Sequence, residues 1–164
     1  DNTYTPYSTA NNINTRVNYK INYTMASPYD VNSASDLYIV NHGSNGHYYG
    51  VCDEYATLFN AFERSLGVPA RYNLINMIDS GGSGVGHGIS EIWDGSRWVH
   101  ADPTWNVFNN THVYTQSGYS HIHMWRMSDV NDSLYSGDPY GDGLLDWWND
   151  FGIRTDLGEL GEYN

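Results

Sequence analysis

The sequence predicts a domain of mixed helix and strand, on three observations. One stretch, Cys52 to Leu66, has apolar residues at helical spacing. Asp94-Gly95-Ser96 separates two apolar, aromatic runs, which is a hairpin signal. Strand-like segments, Ala70 to Met77 and Tyr119 to Met127, flank that hairpin on either side. A length of 164 residues suits about one domain with a sizeable core.

Residues 1–30 are rich in Asn, Thr and Tyr with little periodicity. Within them Val17, Tyr19, Ile21 and Tyr23 alternate, so Arg16 to Tyr23 reads as a strand. Ser33 to Val40 reads as a short helix capped by Ser33 or Ser35. The three glycines of His42 to Gly50 predict a loop. In the helix that follows, Ala56, Phe59, Phe62 and Leu66 form the expected apolar stripe. Asp53 and Glu54 suit its first turn, Gly67 its C-terminal cap, and Pro69 cannot continue it. Gly81-Gly82-Ser83-Gly84 reads as a mobile loop beside the functional site. The hairpin strands are His87 to Trp93 and Arg97 to Asp102. An Asn-rich loop then leads to the strand Tyr119 to Met127. From Ser128 the chain turns acidic and Gly-rich without Lys. The expected division is therefore a domain over 1–127 and an acidic extension over 128–164.

Nineteen acidic residues against seven Lys and Arg give a formal net charge of −12. Nucleic acid and anionic membrane surfaces are therefore not expected as partners, because the phosphate term would be repulsive. No apolar run approaches the ~18 residues of a membrane span. No signal peptide is visible, as expected of a mature or excised piece. Few lysines and three glycosylation sequons, at Asn22, Asn109 and Asn131, point to an extracellular or cell-surface setting.

Cys52, the single cysteine, opens the predicted helix. Free N–H groups and the helix dipole stabilise a thiolate at such a position, and a backbone N–H there can hold an oxyanion. The hairpin brings residues near His87 opposite residues near Asp102, where a carboxylate can hold an imidazole. Spacing alone leaves a second reading open: Cys52 as a small buried hydrophobe, His87 in a loop, Asp102 as a turn former. The acids Asp53 and Glu54 count against a thiolate.

Gly50-Val51-Cys52-Asp53-Glu54-Tyr55-Ala56, with Leu66-Gly67-Val68-Pro69-Ala70-Arg71 after it, resembles the nucleophile helix of the transglutaminase-like superfamily. His87 with Glu91-Ile92-Trp93, then Trp98-Val99 and Asp102-Pro103-Thr104-Trp105, resembles that family's His and Asp strands. The resemblance implies an α+β, papain-like core in which the nucleophile helix packs on an antiparallel sheet. It also implies Cys52, His87 and Asp102 as catalytic residues. Gly88 and Ile89 depart from the Ala and aromatic that the family often places after the His. Tyr48 or Tyr49 could donate to an oxyanion, and His100, two residues before Asp102, is expected to line the cleft.

The expected chemistry is cysteine-dependent acyl transfer on peptide, isopeptide or Gln amide bonds through a thioester, with protein or peptide substrates. Hydrolysis is favoured because microbial members of the resembled superfamily are commonly peptidases. The alternatives are a cross-linking transglutaminase and a non-catalytic, calcium-dependent surface-binding module. A third reading is a catalytically active domain that serves a larger surface protein, with the tail as a spacer.

No cofactor is expected for catalysis, but a structural Ca²⁺ is. Asp138, Asp142 and Asp146 stand at positions 1, 5 and 9 of a loop. Gly143 stands at position 6, the Leu144 carbonyl at position 7, and Asn149 with Asp150 at the end. This spacing resembles thrombospondin type-3 repeats and, more loosely, the EF-hand. Tyr140 at position 3 supplies no carboxylate, and an acidic turn before a short aromatic helix is the alternative. His121 and His123 alternate on a strand, a zinc-compatible spacing, with no third ligand close in sequence.

Overall fold

The computed structural model describes residues 4–25, 34, 35, 37 and 46–127, with side chains excluded at 115 and 120–127. Helix α1 spans Pro6–Lys20. Thr5 caps it, its hydroxyl accepting from the Ser8 N–H at 3.1 Å, and Pro6 occupies the first turn. Here the expected strand is corrected: the chain stays helical to Lys20, and only Ile21–Tyr23 extend as β1. Ala10, Asn14 and Val17 are the buried stripe. Spaced by four and three, they hide a helix behind a short alternation in which Tyr19 is 74% exposed. Asn18 donates to the carbonyls of Pro103 and Thr104 at 2.8 and 3.0 Å, so α1 holds the loop that follows Asp102.

Tyr48–Gly50 form β2, parallel to β1, where a loop was expected. Helix α2 covers Cys52–Ser65. It ends at Gly67, whose φ of 78° is the left-handed conformation that suits glycine. Its apolar stripe is rotated from the expected one. Tyr55, Ala56, Leu58 and Phe59 are buried, whereas Phe62 and Leu66 are 47% and 58% exposed. Burial selects the turn facing the sheet, and that turn continues through Asn60 and Glu63.

Five antiparallel strands form the main sheet: β3 (Ala70–Asp79), β4 (Gly84–Trp93), β5 (Trp98–Asp102), β6 (Val107–Phe108) and β7 (Tyr119–Met127). Their order is β6-β5-β4-β3-β7. The Asp94-Gly95 turn is as expected, with the Asp94 carboxylate accepting from the Ser96 and Arg97 N–H groups at 2.8 and 3.0 Å. The other hairpin is tighter than expected. Asp79 Oδ1 accepts from the Gly81 and Ser83 N–H groups at 2.8 and 2.9 Å, and Gly84 already belongs to β4. His87 consequently lies within a strand.

One face of the sheet carries α1 and α2 over Ala70, Ile92, Val99 and Ala101. The other carries α3 (His112–Gln116), whose Tyr114 joins Ile75, Met77 and Ile89 in a second core. His112 thus opens a helix rather than lying in a loop. The expected helix at 33–40 lies largely outside the described residues; Ala34, Ser35 and Leu37 within it are helical. The 128–164 extension, the calcium loop expected within it and the His121 and His123 side chains lie outside them as well. Among the described residues no helix is long and apolar enough to cross a membrane.

Candidate active site

Cys52 is the first residue of α2 and is half-buried. The cap residue, Val51, has no side-chain oxygen to occupy the first-turn N–H groups. Both neighbouring acids are held locally. Glu54 reaches back to accept from the Val51 N–H at 2.7 Å, and Asp53 Oδ1 accepts from the Tyr72 hydroxyl at 2.6 Å. The thiol itself lies 3.7 Å from Asp53 Oδ1. Gly88 makes this arrangement possible. A Cβ there would stand 2.5 Å from the Tyr72 hydroxyl and 2.6 Å from Asp53 Oδ1, closer than any side chain tolerates. An Ala at this position would have to displace the Tyr72–Asp53 pair.

Strand pairing brings His87 and Asp102 together. Ser90 on β4 is opposite Ala101 on β5, so His87 comes near the last residue of β5. The His87 Nε2 to Asp102 Oδ2 distance is 2.8 Å, with both side chains buried. Burial disfavours the imidazolium. The charge and hydrogen bond of Asp102, followed by the hydrogen bond and charge of Cys52, outweigh it and raise the His87 pKa to about 10. With Nε2 directed at Asp102, Nδ1 is the remaining ring nitrogen. Burial likewise pushes Asp102 up, but the charge and hydrogen bond of His87, then His100 and the Trp105 N–H, hold it below the usual carboxylate range. That N–H reaches Asp102 Oδ1 at 3.1 Å, and the Trp105 ring lies 5.6 Å from the imidazole.

Two further groups converge on Asp102. The Tyr114 hydroxyl donates to Oδ2 at 2.9 Å, and His100 Nε2 lies 2.8 Å from the Tyr114 oxygen. His100 therefore does not line a cleft, as expected, but is wholly buried. Burial pulls its pKa down to about 4, so it is neutral. Tyr114 escaped the sequence analysis because it sits in a five-residue helix within an aperiodic, Asn-rich stretch. Of the two oxyanion candidates, Tyr48 packs against the helical-side core beneath Lys20, 5.8 Å from its ring. Tyr49 is half-buried on the opposite face of β2. Among the described residues no three His, Cys, Asp or Glu side chains form a metal cluster. Asp138, Asp142, Leu144, Asp146, Asn149 and Asp150 are outside them.

Comparison with solved structures places this geometry among known folds. A candidate cysteine protease from Cytophaga hutchinsonii aligns at 23% identity with a TM-score of 0.54, over 78% of this chain and 38% of the other. LapG of Legionella pneumophila aligns at 15% identity with a TM-score of 0.51, over 84% of this chain and 77% of the other. An EGTA-treated form of LapG gives the same identity and TM-score. The chain thus spans well under half of the Cytophaga protein. No curated protein matches it. The family model described as the transglutaminase-like superfamily matches residues 1–103, more than half of the sequence. With the α+β architecture, that match identifies the chain as a member of the transglutaminase-like superfamily.

Proposed function

We propose that this protein is a cysteine-dependent amide hydrolase. The observation that carries the reading is a buried imidazole 2.8 Å from the Asp102 carboxylate, with its pKa raised by Asp102 and by Cys52, which stands at a helix N-terminus. The Cys52 thiolate adds to an amide carbonyl, and the Cys52 N–H stabilises the oxyanion. The His87 imidazolium protonates the departing amine, leaving a thioester and a neutral imidazole. That imidazole then takes a proton from water as the water attacks the thioester. The acid is released and the imidazolium–thiolate pair restored. Asp102 orients the ring and stabilises its charge. Peptide, isopeptide and Gln amides are the substrate class, and the protease description of the Cytophaga relative favours water as acceptor.

Two measurements test this. Iodoacetamide at pH 6 is expected to alkylate wild-type Cys52 at least tenfold faster than the His87→Ala variant. Equal rates would remove the enzyme reading. With a Gln peptide and a labelled amine, hydrolysis releases ammonia without label entering the peptide; incorporation would instead assign cross-linking.

We further propose a structural Ca²⁺ in the 138–150 loop, suited to the millimolar calcium of an extracellular setting. LapG, similar in fold, is known in an EGTA-treated form, which supports a role for calcium. Millimolar Ca²⁺ is expected to raise the thermal midpoint, and EGTA to reverse it. An unchanged midpoint rules the site out.

A further inference from the structure

Behind the proposed reacting groups lies a second layer that the chemistry above does not use. Asp102 Oδ2 is approached by two donors, His87 Nε2 at 2.8 Å and the Tyr114 hydroxyl at 2.9 Å, while Oδ1 receives the Trp105 N–H at 3.1 Å. A phenol has one hydrogen. Tyr114 spends it on Asp102, which is acceptor-only when ionised. Its oxygen, 2.8 Å from His100 Nε2, must then accept from that nitrogen. This fixes His100 as the neutral tautomer with its proton on Nε2. His100 Nδ1 is left a bare lone pair, and it is buried with no hydrogen-bond partner among the described residues. The chain of donation therefore runs one way, from His100 through Tyr114 to Asp102. All three side chains are buried, so water does not compete for these bonds.

We propose that Tyr114, locked by His100, is a positioning residue that holds the Asp102 carboxylate in the ionised state and orientation that His87 requires. The proposal rests on reading Cys52, His87 and Asp102 as the reacting site. Without the phenol, Oδ2 loses one of its two donors and the carboxylate can turn about its Cβ–Cγ bond. Without the His100 donor, the Tyr114 hydroxyl can rotate away from Asp102. The groups that bear on His100 are Asp102 on its own strand, His87 and its register partner Glu91 on β4, and Tyr114 on α3. Glu91 is paired with Arg71, whose guanidinium lies 3.9 Å from the Trp98 ring centre.

The test uses the full chain and the pH dependence of iodoacetamide capture at Cys52, which needs no substrate. Tyr114→Phe preserves the ring in the second core and removes only the hydroxyl. The expected result is about tenfold slower capture at pH 6, the loss of one hydrogen bond to a charged group. The acid limb of the profile should also move to higher pH, because a carboxylate with fewer donors protonates more readily. His100→Gln keeps an N–H near the Nε2 position, whereas His100→Leu has none. Gln should recover most of the rate that Leu loses, a rescue that packing alone does not produce. The His100 pair also keeps the test decisive should Tyr114→Phe fold poorly. If Tyr114→Phe matches wild type at every pH, or Gln and Leu are equally impaired, Tyr114 is a packing residue and the proposal falls. His87→Ala serves as the reference. If it also leaves capture unchanged, the hydrolase reading fails first and takes this inference with it. If it slows capture while Tyr114→Phe does not, only this inference is overturned.

Discussion

Asp102→Asn is expected to lower hydrolysis by on the order of 10³–10⁴-fold while leaving the protein folded. The reason lies in what surrounds the carboxylate. His87 Nε2–H and the Tyr114 hydroxyl aim at Oδ2, and the Trp105 N–H aims at Oδ1, so every neighbour is a donor. An amide offers one acceptor and one donor end. With its oxygen toward His87, its NH₂ meets the Trp105 N–H. Turned round, its NH₂ meets both His87 and Tyr114, and the imidazole must flip or lose its partner. The Asp102 side chain is fully buried, so an unmet donor against it costs about 1–3 kcal/mol of stability in either orientation. Steady-state hydrolysis and iodoacetamide capture at pH 6 check this, with circular dichroism confirming the fold. A variant within tenfold of wild type would show that Asp102 does not govern the imidazole.

Glu63→Gln is expected to stabilise the fold by roughly 3 kcal/mol at pH 8 and by almost nothing at pH 4.5. Glu63 lies on the buried side of α2, and neither carboxylate oxygen has a hydrogen-bond partner among the described residues. Burial alone lifts its pKa from 4.5 to about 7. Between those values the native state holds a proton that the unfolded chain has released. Stability attributable to Glu63 is therefore full below about pH 4.5 and lost as pH rises through about 7. Gln carries no such dependence. His100 acts in the opposite sense, because its native pKa is lowered from 6.5 to about 4 and its contribution is lost on acidification through that range. His87, raised from 6.5 to about 10, contributes stability that fades only as pH climbs through that interval. The difference between variant and wild type in urea unfolding, taken at several pH values, cancels both and isolates Glu63. A difference that does not change between pH 4.5 and 8 would mean that Glu63 is ionised and paired.

Patterns of a few residues were enough for much of this protein. The Asp94-Gly95 turn, the α2 boundaries near Cys52 and Gly67, and the spacing from His87 to Asp102 could be read directly, because each depends on contacts between near neighbours in sequence. The family blocks around the same residues pointed to the same fold. Other features depended on partners far along the chain. α1 escaped notice because its buried stripe uses Ala10 and Asn14, which carry little apolar signal, beside Val17. Phe62 and Leu66 look like core residues until the sheet chooses the neighbouring face of the helix, which buries Glu63 instead. Gly88 looked like a departure from the family until its strand was set against Asp53 and Tyr72.

Residue order by itself determined which groups are available: one thiol, an imidazole and carboxylate in adjacent strands, and a helix tip to carry the sulfur. Only the folded chain decided what surrounds them. Tyr114 and His100 reach Asp102 because α3 packs on one face of a sheet whose opposite face carries α1 and α2. Local sequence encodes turns and caps through short-range backbone preferences. The protonation state of a buried carboxylate or imidazole is set by desolvation and by donors from distant segments, which exist only after the layers close.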